Sequence, residues 1–176
     1  MDKSPQEKLE RLFDRPDLKL RATAAVIDVF IGCLIIFLSF FPGFISGGTF
    51  IISGTLFLGS VLSALFILLK DGLHNSSSPG KKILNLKVTG KEGNFINLAE
   101  SAARNFLPSL PFWAVAAYFL STLLAAWIGD TVTYIALLSV PVSLFLLSYD
   151  VVHMLNDRES SLRWSEVQIA TVVEES

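Results

Sequence analysis

Residues 22–41 read ATAAVIDVFIGCLIIFLSFF, twenty positions carrying a single charge, Asp28. A helix rises 1.5 Å per residue, so about 20 apolar residues cross a hydrocarbon core of ~30 Å. The stretch is therefore the length of one membrane crossing. Working outward, only Asp28 is charged in the 48 residues Ala22–Leu69, and only Asp130 in the 45 residues Asn105–Tyr149. The whole chain of 176 residues is 52% apolar and 17% charged, against roughly 25% charged in an average soluble domain. That arrangement excludes an ordinary soluble globule and a disordered polyelectrolyte. With one cysteine, Cys33, it also excludes a disulfide-stapled secreted domain.

Each quiet tract is long enough for two crossings. Pro42-Gly43 and Gly47-Gly48 supply a turn midway along the first, and Gly129-Asp130-Thr131 interrupts the second. The expectation is four spans, at about 22–41, 50–69, 108–128 and 131–149. A cleaved signal peptide fits the first poorly, because its apolar run exceeds the 7–15 residues of such a segment and no Ala-x-Ala site follows. Basic residues orient the bundle. Six of the 14 Lys and Arg lie in Met1–Arg21, six in Lys70–Arg104, and two, Arg158 and Arg163, in the tail. Four spans put all of them on one side, which the positive-inside rule makes the cytoplasm. The expected organisation is a cytoplasmic N-terminal segment (1–21), a transmembrane domain (22–149) interrupted by a cytoplasmic hairpin (70–104), and a cytoplasmic tail (150–176).

On the cytoplasmic side, 83–88 and 95–98 read as two strands around the glycine-containing turn 89–94, with Val167–Val173 as a third strand completing a short sheet. Leu98, Ala102, Ala103 and Phe106 share one helical face and Arg104 lies off it, which predicts an interfacial amphipathic helix over Leu98–Leu107. The first 20 residues carry five acidic and five basic side chains and read as a solvated helix rather than a nucleic-acid arm. The fold class expected is thus an all-α membrane protein: a four-helix transmembrane bundle with a small cytoplasmic β-hairpin or short sheet and one interfacial helix.

Asp28 lies ~9 Å inside its span, where an aspartate is costly and such a residue faces the bundle interior. Arg21, Ala25, Asp28, Gly32, Ile35 and Ser39 recur at spacings of four and three, which makes one inward stripe. Phe30, Leu34, Phe37, Leu38 and Phe41 fall on the lipid side. Arg21 shares the face of Asp28 but sits ~10.5 Å along the helix, too far for direct contact. Arg104, at the entry to the third span, is the first partner expected for the carboxylate; a protonated Asp28 is the alternative. Asp71, Asp130 and Asp150 read as span-end residues solvated at the interface. Thr55, Gly59 and Ser63, and Ala117, Ser121 and Ala125, recur every four positions as packing contacts.

Enzyme signatures are sparse. Gly80-Lys81-Lys82 fails as a phosphate loop, since Asn75 stands where the first glycine is needed and no Ser or Thr follows the lysine. His74 and His153 have no metal-ligand spacing. Neither catalysis, a cofactor, a metal nor nucleic acid is expected, and the lipid bilayer is the expected partner.

Arg21-Ala22 opening a span with Ile27-Asp28 inside it, then Ser78-Pro79-Gly80-Lys81-Lys82-Ile83-Leu84-Asn85-Leu86-Lys87-Val88, a turn at Lys91-Glu92-Gly93, and Ala103-Arg104, together resemble the RDD family of small membrane proteins. That family is named for one arginine and two aspartates. The resemblance makes Arg21 and Asp28 the arginine and the first aspartate, and Ala170-Thr171-Val172-Val173 the closing strand. Where the family has its second aspartate, in a Leu-His-Asp step, this chain has Ser161-Leu162-Arg163-Trp164, and Asp157 lies nearby at a different spacing. The resemblance implies transport of small ligands or ions.

Two functions are then open. In the first, Asp28 carries a proton or small cation while Arg21 and Arg104 bias its affinity, with Asp150 and Asp157 as secondary candidates and a homodimer lining the path. In the second, the chain is a non-catalytic membrane adaptor or assembly factor and Asp28 is a structural lock on the bundle.

Overall fold

The computed structural model describes residues 18–73, 77–89, 95–128, 130–156 and 172–175. Its elements are α1 (Leu18–Ser46), α2 (Thr49–Leu69), α3 (Pro79–Ile83), β1 (Leu86–Thr89), α4 (Leu98–Ile128), α5 (Asp130–Asn156) and β2 (Val172–Glu175). Among the described residues, three helical stretches are long and apolar enough to cross a membrane: Leu20–Ser46, Thr49–Leu69 and Leu98–Ala125. Thr133–Tyr149 adds a shorter apolar one. The solvated helix expected over the first residues falls outside the described part of the chain.

These residues form two compact units. One takes the chain up to Asp28, Leu69–Arg104, and the chain from Asp150 onward; the other is Val29–Leu68 with Asn105–Tyr149. The second unit is the apolar one. Its α1 segment continues through Pro42 to Ser46, five residues beyond the end expected at Phe41. Pro42 removes one backbone donor without ending the helix, and the Ser46 hydroxyl donates back to the Pro42 carbonyl at 2.7 Å. The helix stops at Gly47, whose φ of +72° and N–H donation to the Gly43 carbonyl make a left-handed cap. Two residues, Gly47 and Gly48, then connect α1 to α2.

The α1–α2 contact depends on small side chains. A Cβ on Gly43 would stand 2.7 Å from the Ile52 Cα, so only glycine allows this approach. The Ser63 hydroxyl of α2 donates to the Gly32 carbonyl of α1 at 2.7 Å, satisfying a buried polar atom across the helix pair. Ala64, Ile67 and Phe112 form the core of this unit, with Ile36, Phe66 and Trp113 packed against it. Phe30, Leu34, Phe37, Leu38 and Phe41 are exposed, as the lipid-side assignment requires, and Asp28 and Gly32 are buried. The inward stripe differs from the expected one at its start: Ala24 is buried and Ala25 exposed.

The first unit has a core of Ala24, Leu86, Val88 and Ile96, with Leu84 against it. Here the expected 83–88/95–98 hairpin is replaced. Pro79–Ile83 is helical, Asn85 turns the chain at φ 54°, and β1 starts only at Leu86. Asn97 does not continue a strand. Its side chain accepts the Glu100 N–H at 2.9 Å while the Glu100 carboxylate accepts the Asn97 N–H at 2.9 Å, a reciprocal cap that starts α4 at Leu98. The partner of β1 is instead β2 from the tail, antiparallel, with Leu86 opposite Glu175 and Thr89 opposite Val172. Residues 167–171 of the third expected strand lie outside the described residues.

The separate interfacial helix over Leu98–Leu107 is also corrected. It is the first part of a continuous helix, Leu98–Ile128, which includes Pro108 and Pro111. Leu98 and Phe106 are exposed while Ser101 and Arg104 are buried, so the apolar face turns outward and the polar one inward.

Candidate functional site

Two buried carboxylates organise the first unit. Asp28 of α1 has no exposed surface, and its carboxylate accepts three hydrogen bonds. Lys70 Nζ donates to Oδ2 at 2.7 Å, Ser78 Oγ donates to Oδ2 at 2.6 Å, and the Gly80 N–H donates to Oδ1 at 2.8 Å. Two of these donors come from one local structure. Ser78 is the N-cap of α3, with extended backbone at φ −71° and ψ 163°, and Pro79 occupies the next position, where its missing N–H costs nothing. The Ser78 Oγ also accepts the Lys81 N–H at 3.3 Å, so one hydroxyl caps the turn and binds the carboxylate.

Gly80 allows this approach. A Cβ there would overlap the Ala24 carbonyl oxygen and stand 2.9 Å from Asp28 Oδ1. Gly80→Ala is expected to push α3 off α1, at a cost of roughly 1–3 kcal/mol from overpacking, and to strain the Gly80–Asp28 hydrogen bond as well. Thermal unfolding in detergent beside Lys82→Ala, a change at an exposed neighbour, checks this. Equal melting temperatures for the two variants would refute it.

Asp71, in the turn after α2, is the second carboxylate and is also fully buried. Lys81 Nζ donates to its Oδ1 at 2.5 Å, and Arg104 Nε of α4 lies 3.6 Å from its Oδ2. Lys81 and Arg104 are themselves buried. Burial alone would raise the Asp71 pKa, but the charges of Lys81, Arg104 and Lys70 outweigh it and hold the carboxyl well below its ordinary range. For Lys81, burial is the largest influence and disfavours the ammonium. Asp71 opposes that effect, Arg104 and Lys70 reinforce it, and the lysine is lowered to about 7. The Ser77 hydroxyl donates to the Leu86 carbonyl at 2.7 Å, tying the start of this segment to β1.

Arg104 was expected at Asp28 and is found at Asp71. Its place at Asp28 is taken by Lys70, because Lys70 follows directly on the α2 turn that faces α1 while Arg104 enters from a different helix. Arg21 is half-buried on α1, and the Asp28 carboxylate is engaged by Lys70, Ser78 and Gly80 instead. Asp71 is a packed ion-pair partner rather than a solvated span-end residue. The side chains of Asp150 and Asp157, and the stretch 161–164, lie outside the described residues, as does His74.

Lys70, Asp71, Ser78 and Lys81 are site residues that the sequence reading did not propose as such. The cap followed by proline was a usable signal, since exposed N–H groups at a helix start call for an anion. Ser78 and Lys81 also match the Ser-x-x-Lys spacing of some nucleophilic hydrolases. The structure directs them elsewhere: the hydroxyl donates to Asp28 and the ammonium to Asp71. No group of side chains suited to a metal occurs among the described residues. In the apolar unit, an open groove of about 520 Å³ runs between α4 and α5, lined by Leu110, Trp113, Ala114, Leu138, Val142 and neighbours, none of them charged.

No curated protein and no solved structure matches this chain. A family model does, over residues 15–160, and its description is RDD family. The match contains α1, the Ser78–Lys81 cap and both buried carboxylates, and it ends before β2. Well over half of the chain is covered, so this multi-pass membrane protein belongs to the RDD family.

Proposed function

We propose that the chain is a non-catalytic membrane adaptor or assembly factor, with both termini cytoplasmic, in which Asp28 locks the Ser78–Lys81 segment onto α1. The observation carrying this reading is the engagement of Asp28: a fully buried carboxylate that already accepts from an ammonium, a hydroxyl and a backbone N–H. A carboxylate that must bind and release a transported cation needs a path to solvent, whereas one that fixes a segment does not. The segment it fixes leads into β1, whose outer partner is the tail strand β2, so the lock governs the presentation of a surface built from two distant parts of the chain.

The test compares wild type with Asp28→Asn in three measurements. Melting temperature and recovery of a co-purifying protein should both fall, because the amide leaves the Lys70 charge without its counter-ion. Cation and proton flux in proteoliposomes should be the same for both proteins. Flux that Asp28→Asn abolishes while the melting temperature holds would replace this reading with transport.

A further inference from the structure

We infer that the groove between α4 and α5 holds one acyl chain of a membrane lipid. The inference is independent of the role given to Asp28, because the groove lies wholly within the apolar unit. It starts from helical spacing. On α4, Leu110, Trp113, Ala114 and Ala117 fall at i, i+3, i+4 and i+7, so one face of that helix lines the gap. On α5, Ile135, Leu138, Ser139, Val142, Ser143 and Leu146 repeat the same period. Small side chains keep the two faces apart from full contact: Ala114 and Ser143 are buried, while Ala117 stays exposed although it belongs to the lining. The open space is about 520 Å³, within the roughly 300–1,000 Å³ of small-ligand sites.

The chemistry of the walls selects hydrocarbon. No lining side chain is charged. The two lining hydroxyls already donate within their own helix, Ser139 Oγ to the Ala136 carbonyl at 2.6 Å and Ser143 Oγ to the Val140 carbonyl at 2.7 Å. Water held in such a place needs two to four polar partners, and a polar solute needs more. An empty groove is no better, since the side chains on both walls then forfeit their dispersion contacts.

Place and size narrow the hydrocarbon to lipid. Ile135, Leu138 and Val142 on the groove side are exposed, as are Leu137, Leu144 and Phe145 elsewhere on α5, so the groove is continuous with the surface this membrane protein turns to the bilayer. The lining runs seven residues along α4 and eleven along α5, about 10 and 16 Å by helical rise. One leaflet contributes ~15 Å of hydrocarbon, half of a ~30 Å core, which is the reach of a single acyl chain laid along the helices. A second copy of the chain fits less well. Ten residues line the groove, against about 20–30 a side in a stable protein–protein interface.

The test reads Trp113, which lines the groove. Full-length protein carrying Trp127→Phe and Trp164→Phe keeps it as the only tryptophan. This protein is reconstituted in phosphatidylcholine vesicles with a rising fraction of lipid brominated on both acyl chains, because bromine quenches indole emission on contact. A site that holds one chain should lose emission in direct proportion to the brominated fraction, until most of the Trp113 signal is gone. Ala117→Phe, whose ring fills the space, should lose most of that quenching. Should this variant fail to fold, the shape of the first curve decides alone. A curve that saturates at a low brominated fraction shows several chains exchanging at the indole, which is ordinary contact with the bilayer, and overturns the inference. Equal quenching with and without Ala117→Phe overturns it too. Emission that survives in fully brominated vesicles does the same, since protein, either a second copy or another segment of this chain, then fills the groove.

Discussion

Asp28→Ala is expected to destabilise the protein by roughly 3–5 kcal/mol, the range seen when one partner of a buried ion pair is removed. Most of that cost is the group left behind. The Lys70 ammonium, 2.7 Å from the carboxylate and buried with it, would have to remain charged without a partner, lose its proton, or drag the α2 turn toward water. The Ser78 hydroxyl and Gly80 N–H would lose their acceptor in the same step. The double variant Asp28→Leu with Lys70→Met separates these contributions, because removing both charges leaves no uncompensated ion. It should recover a large part of the loss, so that the two single changes are strongly non-additive. Chemical or thermal unfolding of the four proteins in one detergent decides the matter. If Asp28→Ala costs less than about 1 kcal/mol, the carboxylate behaves as an exposed one and the lock does not exist.

Asp71→Ala should have a comparable effect, again roughly 3–5 kcal/mol, through a different set of groups. It leaves Lys81 and Arg104 facing each other without the carboxylate that separates their charges. Lys81 can respond by deprotonating and Arg104 cannot, so the damage should centre on the start of α4. Asp71 also gives a pH signature. Its folded pKa is depressed, so the stability it contributes is present above the unfolded value of 3.8 and is lost as pH falls toward the lower folded value. Wild type should therefore lose stability below about pH 4, and Asp71→Asn, which keeps the shape but not the titration, should show a shallower acid limb. Identical acid limbs would show that Asp71 ionises as freely folded as unfolded.

The helices were legible because their signal is local. Uncharged runs the length of a bilayer crossing, interrupted at Gly47-Gly48 and Gly129-Asp130, define where α1, α2, α4 and α5 can lie. The spacing of Asp28, Gly32 and Ser39 likewise placed Asp28 on an inward face, since a 3.6-residue period is a property of one helix alone. The reading failed where short segments compete. Residues 83–98 hold a partial alternation that suits strands, but two helix caps, Ser78 with Pro79 and Asn97 with Glu100, are stronger local determinants, and among the described residues of this stretch the strand is Leu86–Thr89, with a single bridge residue at Phe95. Pro42 misled in the opposite direction, because an apolar helix can tolerate a missing hydrogen bond that a water-exposed turn would have exploited.

Length and polarity along the chain thus suffice to make this a multi-pass helical membrane protein with a buried aspartate on its first apolar span. They do not say which cation meets that aspartate. Lys70, Ser78 and Gly80 lie 42, 50 and 52 residues away from it, and Arg104, the arginine expected there from its place at the entry to the third span, meets Asp71. Partner choice among buried charges is a matter of a few ångströms, set by how the α2 turn, α3 and α4 pack. A tail strand joining this sheet was expected from the β-branched run Val167–Val173, and β2 does pair with β1; the antiparallel register, with Leu86 opposite Glu175, is what the packing decided, since an open backbone edge accepts whichever segment the fold delivers to it.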